Sequence, residues 1–137
     1  MADEATLVVR LEDPIDFTVA DGTAIAKGAV CKMTDGRVAI LSDGDGDIVA
    51  GICARDKIAS DGRTQAAMFR RGIFRGVAGV AGVTVGEAIQ TDVSTSSANR
   101  LVDADVNSEQ IIGIALETAA SGTAFEFELG PRAVDLA

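Results

Sequence analysis

Histidine, tryptophan and tyrosine are absent from this 137-residue sequence, which also contains only two cysteines and two prolines. The lack of histidine excludes Ser–His–Asp and Cys–His catalysis, histidine-ligated zinc and the commonest general base near neutral pH. Carboxylates are plentiful, but no pair of them must converge in a pocket. The sequence therefore predicts no catalytic site and no cofactor.

Aromatic residues are limited to five phenylalanines, whereas hydrophobic residues make up 47% of the chain. Small aliphatic side chains and fifteen glycines must therefore fill the core. Such a composition favours closely packed short strands over a wide ligand pocket. Cys31 and Cys53 each lie in an apolar run, and we interpret them as buried thiols rather than as a disulfide or a reactive pair.

Positive charge is scarce, and the net charge is −9. No basic stripe offsets the acidic residues, so we expect no nucleic-acid partner. No apolar run approaches the ~18 residues that a membrane span requires. The N-terminal sequence MADEATLVVR is acidic where a signal peptide is basic, so we expect no secretion signal.

Hydrophobic residues alternate with polar ones along much of the chain. The alternation places Leu7, Val9 and Leu11 on one face of a strand. The segments IDFTV (15–19) and FEFEL (125–129) repeat this pattern, with Ile15, Phe17 and Val19 directed inward in the first of them. Glycine-containing turn sequences separate such segments. The pattern predicts an all-β fold, and a helix is possible only as a short piece within 103–110.

The sequence also contains two segments that resemble each other. Residues 24–75 align with residues 80–130, most clearly where Ile48–Cys53 matches Ile111–Ala115. An accidental match is the alternative, because β sequences rich in Val, Ala and Gly resemble one another. We predict a compact β-barrel or β-tulip-like domain over 21–130, built from these two halves, with an N-terminal arm at 1–20 and a tail at 131–137. The glycine steps from Gly76 to Gly82 are interpreted as a bend at the junction.

Three further features could carry binding. DGDGD (43–47) resembles the start of a calcium loop but lacks the later Gly and Glu, so a solvated turn is expected. Arg70, Arg71 and Arg75 are either a solvated edge or ion-pairing groups for a neighbouring subunit. The apolar arm either pairs within its own domain or adds to a neighbour.

The segments KGAVCKMTDGR, IVAGICARDKIASDGRT and IIGIALETAASGTA resemble the capsid decoration (cement) proteins of tailed viruses, and the similarity covers about residues 15–130. The resemblance implies a β-barrel or β-tulip homotrimer on the outer surface of an icosahedral capsid, where it strengthens the shell. It also implies an arm that grips the capsid or a neighbouring subunit. Pro14 interrupts the arm here. The family has no catalytic motif.

We therefore predict a structural virion protein with two partners, the major capsid protein and itself, and no role as an enzyme. The alternatives are another virion part, such as a tail-tube or head-completion protein, or a β module that binds a metal or small ligand. The residues predicted to contact the capsid or another subunit are Leu7, Val9, Leu11, Ile15, Phe17, Arg70, Arg71 and Arg75.

Overall fold

The computed structural model describes residues 3–93, 99–104 and 110–133. These residues form strands and turns without any helix, so the predicted all-β class is confirmed. The strands are β1 (Thr6–Arg10), β2 (Ile15–Thr18), β3 (Val30–Asp35), β4 (Val38–Leu41), β5 (Val49–Cys53), β6 (Gln65–Phe69), β7 (Gly72–Val77), β8 (Ala88–Asp92), β9 (Arg100–Asp103), β10 (Gln110–Ala115) and β11 (Ala124–Ala133).

The strands are divided between a closed barrel and a six-stranded sheet. The barrel has the order β2-β4-β3-β5-β6, and the sheet has the order β1-β7-β11-β10-β8-β9. In the barrel, β2 pairs antiparallel with β6 and makes a parallel bridge from Thr18 to Val38 in β4. In the sheet, β7 pairs antiparallel with β11, and Ala78 makes a parallel bridge to Leu101 in β9.

The remaining strands pair in the same order in the barrel and in the six-stranded sheet. β3 pairs with β4 and β5, and β5 pairs with β6. Likewise β8 pairs with β9 and β10, and β10 pairs with β11. The predicted boundaries of the arm, the two halves and the tail remain a prediction.

Two hydrophobic cores share the barrel wall. One core fills the barrel with Phe17, Met68 and both cysteines. The other fills the space beneath the sheet with Phe74, Phe125 and Phe127, and the barrel contributes Val30, Val49, Ile52 and Phe69 to it. Strand β5 is buried along its whole length because it faces both cores, which explains its unbroken apolar sequence VAGIC.

Polar side chains from the second half of the chain satisfy backbone groups of the barrel. The Asn99 side chain accepts a hydrogen bond from Val30 N at 2.9 Å, and the Gln110 side chain accepts one from Val49 N at 2.9 Å. These bonds join residues separated by 69 and 61 positions. Because a buried N–H without a partner is costly, such bonds fix the relative position of barrel and sheet.

Several local predictions can now be compared with the structure. The FEFEL alternation is confirmed, since Phe125, Phe127 and Leu129 are buried. The glycine-rich bend is confirmed at 79–82, where Gly82 N donates to Gly79 O at 2.9 Å. The chain changes sheet earlier, however, at residues 70–71 between β6 and β7, so Gly76 lies inside a strand.

The predicted short helix within 103–110 falls mostly on residues 105–109, which lie outside the described residues. At its margins, Asp103 ends β9 and Gln110 begins β10. Over the described ranges, no helix has the length and hydropathy needed to cross a membrane.

Candidate functional site

The N-terminal arm lies on the edge of the six-stranded sheet, where β1 pairs with β7 of the same chain. Its register shifts between Leu7, which faces Phe74, and Val9, which faces Ile73. The shift is a β-bulge at Val8, and a bulge moves the following side chains to the opposite face. Leu7 therefore packs against the core, whereas Val8 and Val9 are exposed. The prediction of one shared face for Leu7, Val9 and Leu11 is wrong for this reason.

The exposed apolar residues of the arm form what we call the arm surface, namely Val8, Val9, Leu11 and Ile15, whose exposed fractions lie between 43% and 51%. Ile15 was predicted to point inward with Phe17 and Val19, and this is wrong for Ile15 alone. Ile15 is the first residue of β2, and it pairs with Met68 of β6. Phe17 is 2% exposed inside the barrel, so we leave it out of the contact surface proposed below.

A row of side chains extends the arm surface across the outer face of the sheet. Val9 is the cross-strand neighbour of Ile73, Ile73 of Glu128, and Glu128 of Ile114. Ile114 is exposed, while Ile73 and Glu128 are half-buried. The outer face therefore combines apolar side chains with charge. Sequence reasoning missed Ile73 and Ile114, because only the strand register brings them beside the arm.

The three predicted arginines have separate environments. The guanidinium of Arg70 donates to the carbonyls of Val49 and Ala50 at 3.1 and 2.8 Å. Arg70 therefore caps the start of β5. Arg75 lies 3.9 Å from Glu117 and 3.6 Å from Glu126 of its own chain.

Arg71 is exposed, and it lines a depression of about 170 Å³ together with Glu12, Arg70 and Arg132. Arg132 is a basic neighbour that sequence reasoning missed, since it is far from Arg71 along the chain. The structure thus brings Arg71 and Arg132 together and directs Arg75 to intrachain carboxylates.

A groove of about 720 Å³ runs between the arm and the barrel. Residues 4–7 and Arg10 line one wall, while Lys27, Gly28 and residues 53–55 line the other. The guanidinium of Arg10 lies 5.8 Å from the centre of the Phe69 ring and bonds Asp13 at 2.8 Å. These contacts hold the arm against the barrel end.

The acidic turn (residues 43–47) uses its carboxylates for internal hydrogen bonds. Asp47 accepts bonds from Ser42 Oγ, Asp43 N and Gly44 N at 2.9 to 3.0 Å. Asp45 accepts one from Val93 N at 2.8 Å. The turn is thereby tied to β8 and to the residue after it. Asp43 and Asp45 are exposed, as expected of a solvated turn, whereas Asp47 is half-buried. The described residues contain no group of three or more potential metal-ligating side chains.

The carboxylate of Asp43 also pairs with Lys32, and this hydrogen bond raises the pKa of the lysine above its ordinary value. The two thiols are free and buried, which confirms the interpretation made from sequence. Burial raises the pKa of Cys31 above its ordinary range, and burial also raises that of Cys53. Both side chains are therefore protonated and unreactive near neutral pH.

These observations define a class of protein before any comparison is made. Side chains of Asn99 and Gln110 join the sheet to the barrel, and the exposed apolar side chains and arginines described above are of the kinds found at protein interfaces. The molecule is an all-β protein built from a closed barrel and a six-stranded sheet.

Comparison with known proteins identifies the family. Residues 9–130 match the family model described as phage cement protein, and the chain belongs to this family. It is accordingly a capsid-associated structural protein of the virion, as its resemblance to cement proteins suggested.

A structural comparison agrees with the fold. The crystal structure of the head fiber gp8.5 N base of bacteriophage phi29 superimposes with a TM-score of 0.56 at 17% identity, covering 88% of this chain and 98% of that one. No curated protein sequence matches the chain.

Proposed function

We propose that this protein binds the outer surface of an icosahedral capsid as a homotrimer and stabilises the shell. The observation that carries the proposal is the match to the cement family over residues 9–130. A cement protein acts by adhesion, and the described residues include exposed apolar side chains that can supply a surface for adhesion.

The arm surface supports a contact role. Its four exposed apolar side chains lie in β1, just after it and at the start of β2. From Val9, cross-strand neighbours lead through Ile73 and Glu128 to Ile114 on the outer face. Arg71 and Arg132 lie at one end of the same sheet. Apolar residues combined with arginine are typical of protein interfaces, where burial supplies affinity and guanidinium groups supply directed hydrogen bonds.

The net charge of −9 supports the same function in a different way. Like charge keeps many free copies soluble and apart. Once a trimer docks, its three equivalent contacts act together, and the effective concentration of the second and third contacts strengthens an individually weak attachment. This attachment then stabilises the shell, because a protein that binds only the assembled capsid shifts the equilibrium between assembled and disrupted capsid towards the assembled state.

A binding assay on undecorated capsids tests the proposal. Purified protein is titrated onto such capsids, and the bound copies are counted after sedimentation. We expect saturable binding at a copy number divisible by three, together with a higher temperature of capsid disruption. Binding without saturation, or saturation without any gain in capsid stability, would contradict the proposal.

The contact role of the arm surface is tested by Leu11→Asp, with Ile58→Asp as the matched control. Ile58 is 67% exposed and lies outside the arm surface. Light scattering on the free protein reports the trimer, and the capsid titration reports attachment. We expect Leu11→Asp to weaken trimer formation, capsid binding or both by about tenfold, as loss of a central interface residue does. Equal behaviour of both variants would remove the arm surface from the proposal.

A further inference from the structure

Two turns of the chain share one construction. Gly28 and Gly86 have φ values of 87° and 83°. Gly28 N donates to Cys53 O at 2.8 Å, and Gly86 N donates to Ala115 O at 2.8 Å. One residue later, the carbonyl of Ala29 accepts from Cys53 N, and that of Glu87 accepts from Ala115 N, both at 3.0 Å.

The residues flanking these turns extend the match. Lys27 N donates to the Asp56 side chain at 2.7 Å, and Val85 N donates to the Thr118 side chain at 3.0 Å. The bridge between Ile25 and Lys57 corresponds in the same way to the bridge between Val83 and Ala119. The two turns are therefore structural equivalents, with residues 27–28 matching 85–86 and residues 53–55 matching 115–117.

The arm covers the first turn. Ala5 N donates to Gly28 O at 2.8 Å, and a Cβ added at Gly28 would collide with the Ala5 carbonyl. Ala5 and Leu7 also pack beside Ala54 against the core.

The second turn is open. Among the residues that the structure describes, no atom outside residues 85–87 lies within 4 Å of a Cβ added at Gly86. Beside it, Val85 is 57% exposed and Leu116 is 39% exposed. Leu116 occupies the place of Ala54, so a larger apolar side chain stands uncovered where the first turn has a covered small one.

We propose that the turn at Gly86 is a second docking site for an extended peptide segment, supplied by the capsid protein. We call it the Gly86 site, and it consists of residues 85–87 and 115–117. The segment would take the place that residues 4–7 take at Gly28, accept or donate backbone hydrogen bonds at the turn, and cover Val85 and Leu116. Recognition of this kind resembles the addition of a strand to a sheet edge, in which the main chain gives affinity and pockets give specificity. The inference rests on the proposed function.

Charge distinguishes the occupant from a second copy of the arm. At the first turn, Lys27 and Arg55 line the same groove as Glu4 of the arm, so the groove contains charges of both signs. The equivalent positions at the Gly86 site are Val85 and Glu117. The described part of the arm begins with two acidic residues, Asp3 and Glu4, which the Gly86 site would repel.

The nearby charges complete the description of the occupant. Arg75 lies 3.9 Å from Glu117 and 3.6 Å from Glu126, and Glu87 adds a third, exposed carboxylate to the site. The site therefore fits a segment that carries an apolar side chain next to a lysine or arginine.

Site-directed crosslinking tests the proposal directly. Val85→Cys introduces an exposed thiol for a maleimide-benzophenone label, while the native thiols remain buried and unlabelled. Ile58→Cys is the matched control, since Ile58 is exposed and lies outside the site. After docking on undecorated capsids and irradiation, we expect label at residue 85, and not at residue 58, to link to a capsid-protein peptide that contains Lys or Arg.

Binding measurements supply a second readout. We expect Leu116→Asp and Glu87→Lys each to weaken capsid binding by about tenfold, the first by placing a charge in an apolar contact and the second by repelling a basic segment. The free variants should keep the thermal stability of the unmodified protein, because both side chains are exposed.

The outcomes separate the site from the function on which it rests. Saturable capsid binding with no crosslink from residue 85, or with both variants at full affinity, overturns the Gly86 site and leaves the proposed function intact. A crosslink from residue 85 to a second copy of this chain, or tighter binding by Glu87→Lys, overturns the basic capsid segment as occupant. Failure of the unmodified protein to bind capsids overturns both proposals.

Discussion

Replacing Lys57 with methionine removes a buried ammonium group that joins two turns of the barrel. The side chain is only 2% exposed. Its Nζ donates to Asp21 O at 3.0 Å, to Ile58 O at 2.7 Å and to Asp61 Oδ1 at 2.8 Å. Methionine retains most of the apolar stem and the volume, so the substitution tests the hydrogen bonds rather than the packing.

The expected loss of stability follows from these contacts. A hydrogen bond to a charged group contributes about 1.5–3 kcal/mol, and breaking a fully buried ion pair costs about 3–5 kcal/mol. Lys57 Nζ also lies 3.5 Å from Asp21 Oδ1, and this carboxylate is partly exposed and stays hydrated in the variant, which lowers the cost. We therefore expect a decrease of about 2–3 kcal/mol in the free energy of unfolding, or about 5–12 °C in Tm for a chain of this size.

Thermal unfolding followed by far-UV circular dichroism is the suitable assay, because the chain has no tryptophan or tyrosine for fluorescence. Lys32→Met is the matched control, since Lys32 pairs with one exposed aspartate at the surface, where such pairs add little. Equal Tm values for Lys57→Met and the unmodified protein, or a larger loss in the control, would refute the reasoning.

The pH dependence of the same variant gives an independent check. The hydrogen bond from Lys57 lowers the pKa of Asp61 below its ordinary value. A carboxylate with a lowered folded-state pKa contributes stability above its unfolded pKa, and that contribution is lost as the pH falls through the folded value. The difference between the unmodified protein and Lys57→Met should therefore narrow below about pH 4. A constant difference down to pH 2 would contradict the assignment.

Three further predictions concern single sites. Gly113→Ala should lower stability by about 1–3 kcal/mol in thermal unfolding, because the added Cβ collides with the backbone of β11, whereas Gly36→Ala meets open space and should be neutral. Cys31 and Cys53 should react with a thiol reagent only after denaturation, and rapid reaction in the native state would contradict their burial. Thr91→Val removes the hydroxyl that bonds the acidic turn and should cost about 1–3 kcal/mol, while Thr91→Ser should restore most of it.

Residue alternation and turn chemistry were sufficient to predict the all-β class and the strands that contain Phe17 and Phe125, because both signals depend on neighbours within a few positions. Phe125, Phe127 and Leu129 are buried as their spacing indicates. The lack of histidine excluded several kinds of catalytic site without reference to any tertiary contact. The apolar runs around Cys31 and Cys53 likewise indicated buried thiols. Resemblance of the quoted segments to cement proteins was enough to predict the family.

The candidate site depended on contacts that no local pattern contains. The bulge at Val8 turns Val9 outward, and it arises from pairing with β7, which lies more than 60 residues further along the chain. Val9 is likewise more than 60 positions from each of its neighbours in the outer row, as Arg71 is from Arg132. Alternation specifies two faces for each strand, but strand register decides which residues of different strands share a face, and register is set by the assembled sheet.

The Gly28 and Gly86 turns also show which features the sequence determined and which the tertiary structure decided. The chain sequence determined both turns, because each places glycine where the backbone has positive φ. Only the folded molecule decided that the arm covers one turn and leaves the other open, since a single arm can satisfy only one of two equivalent sites.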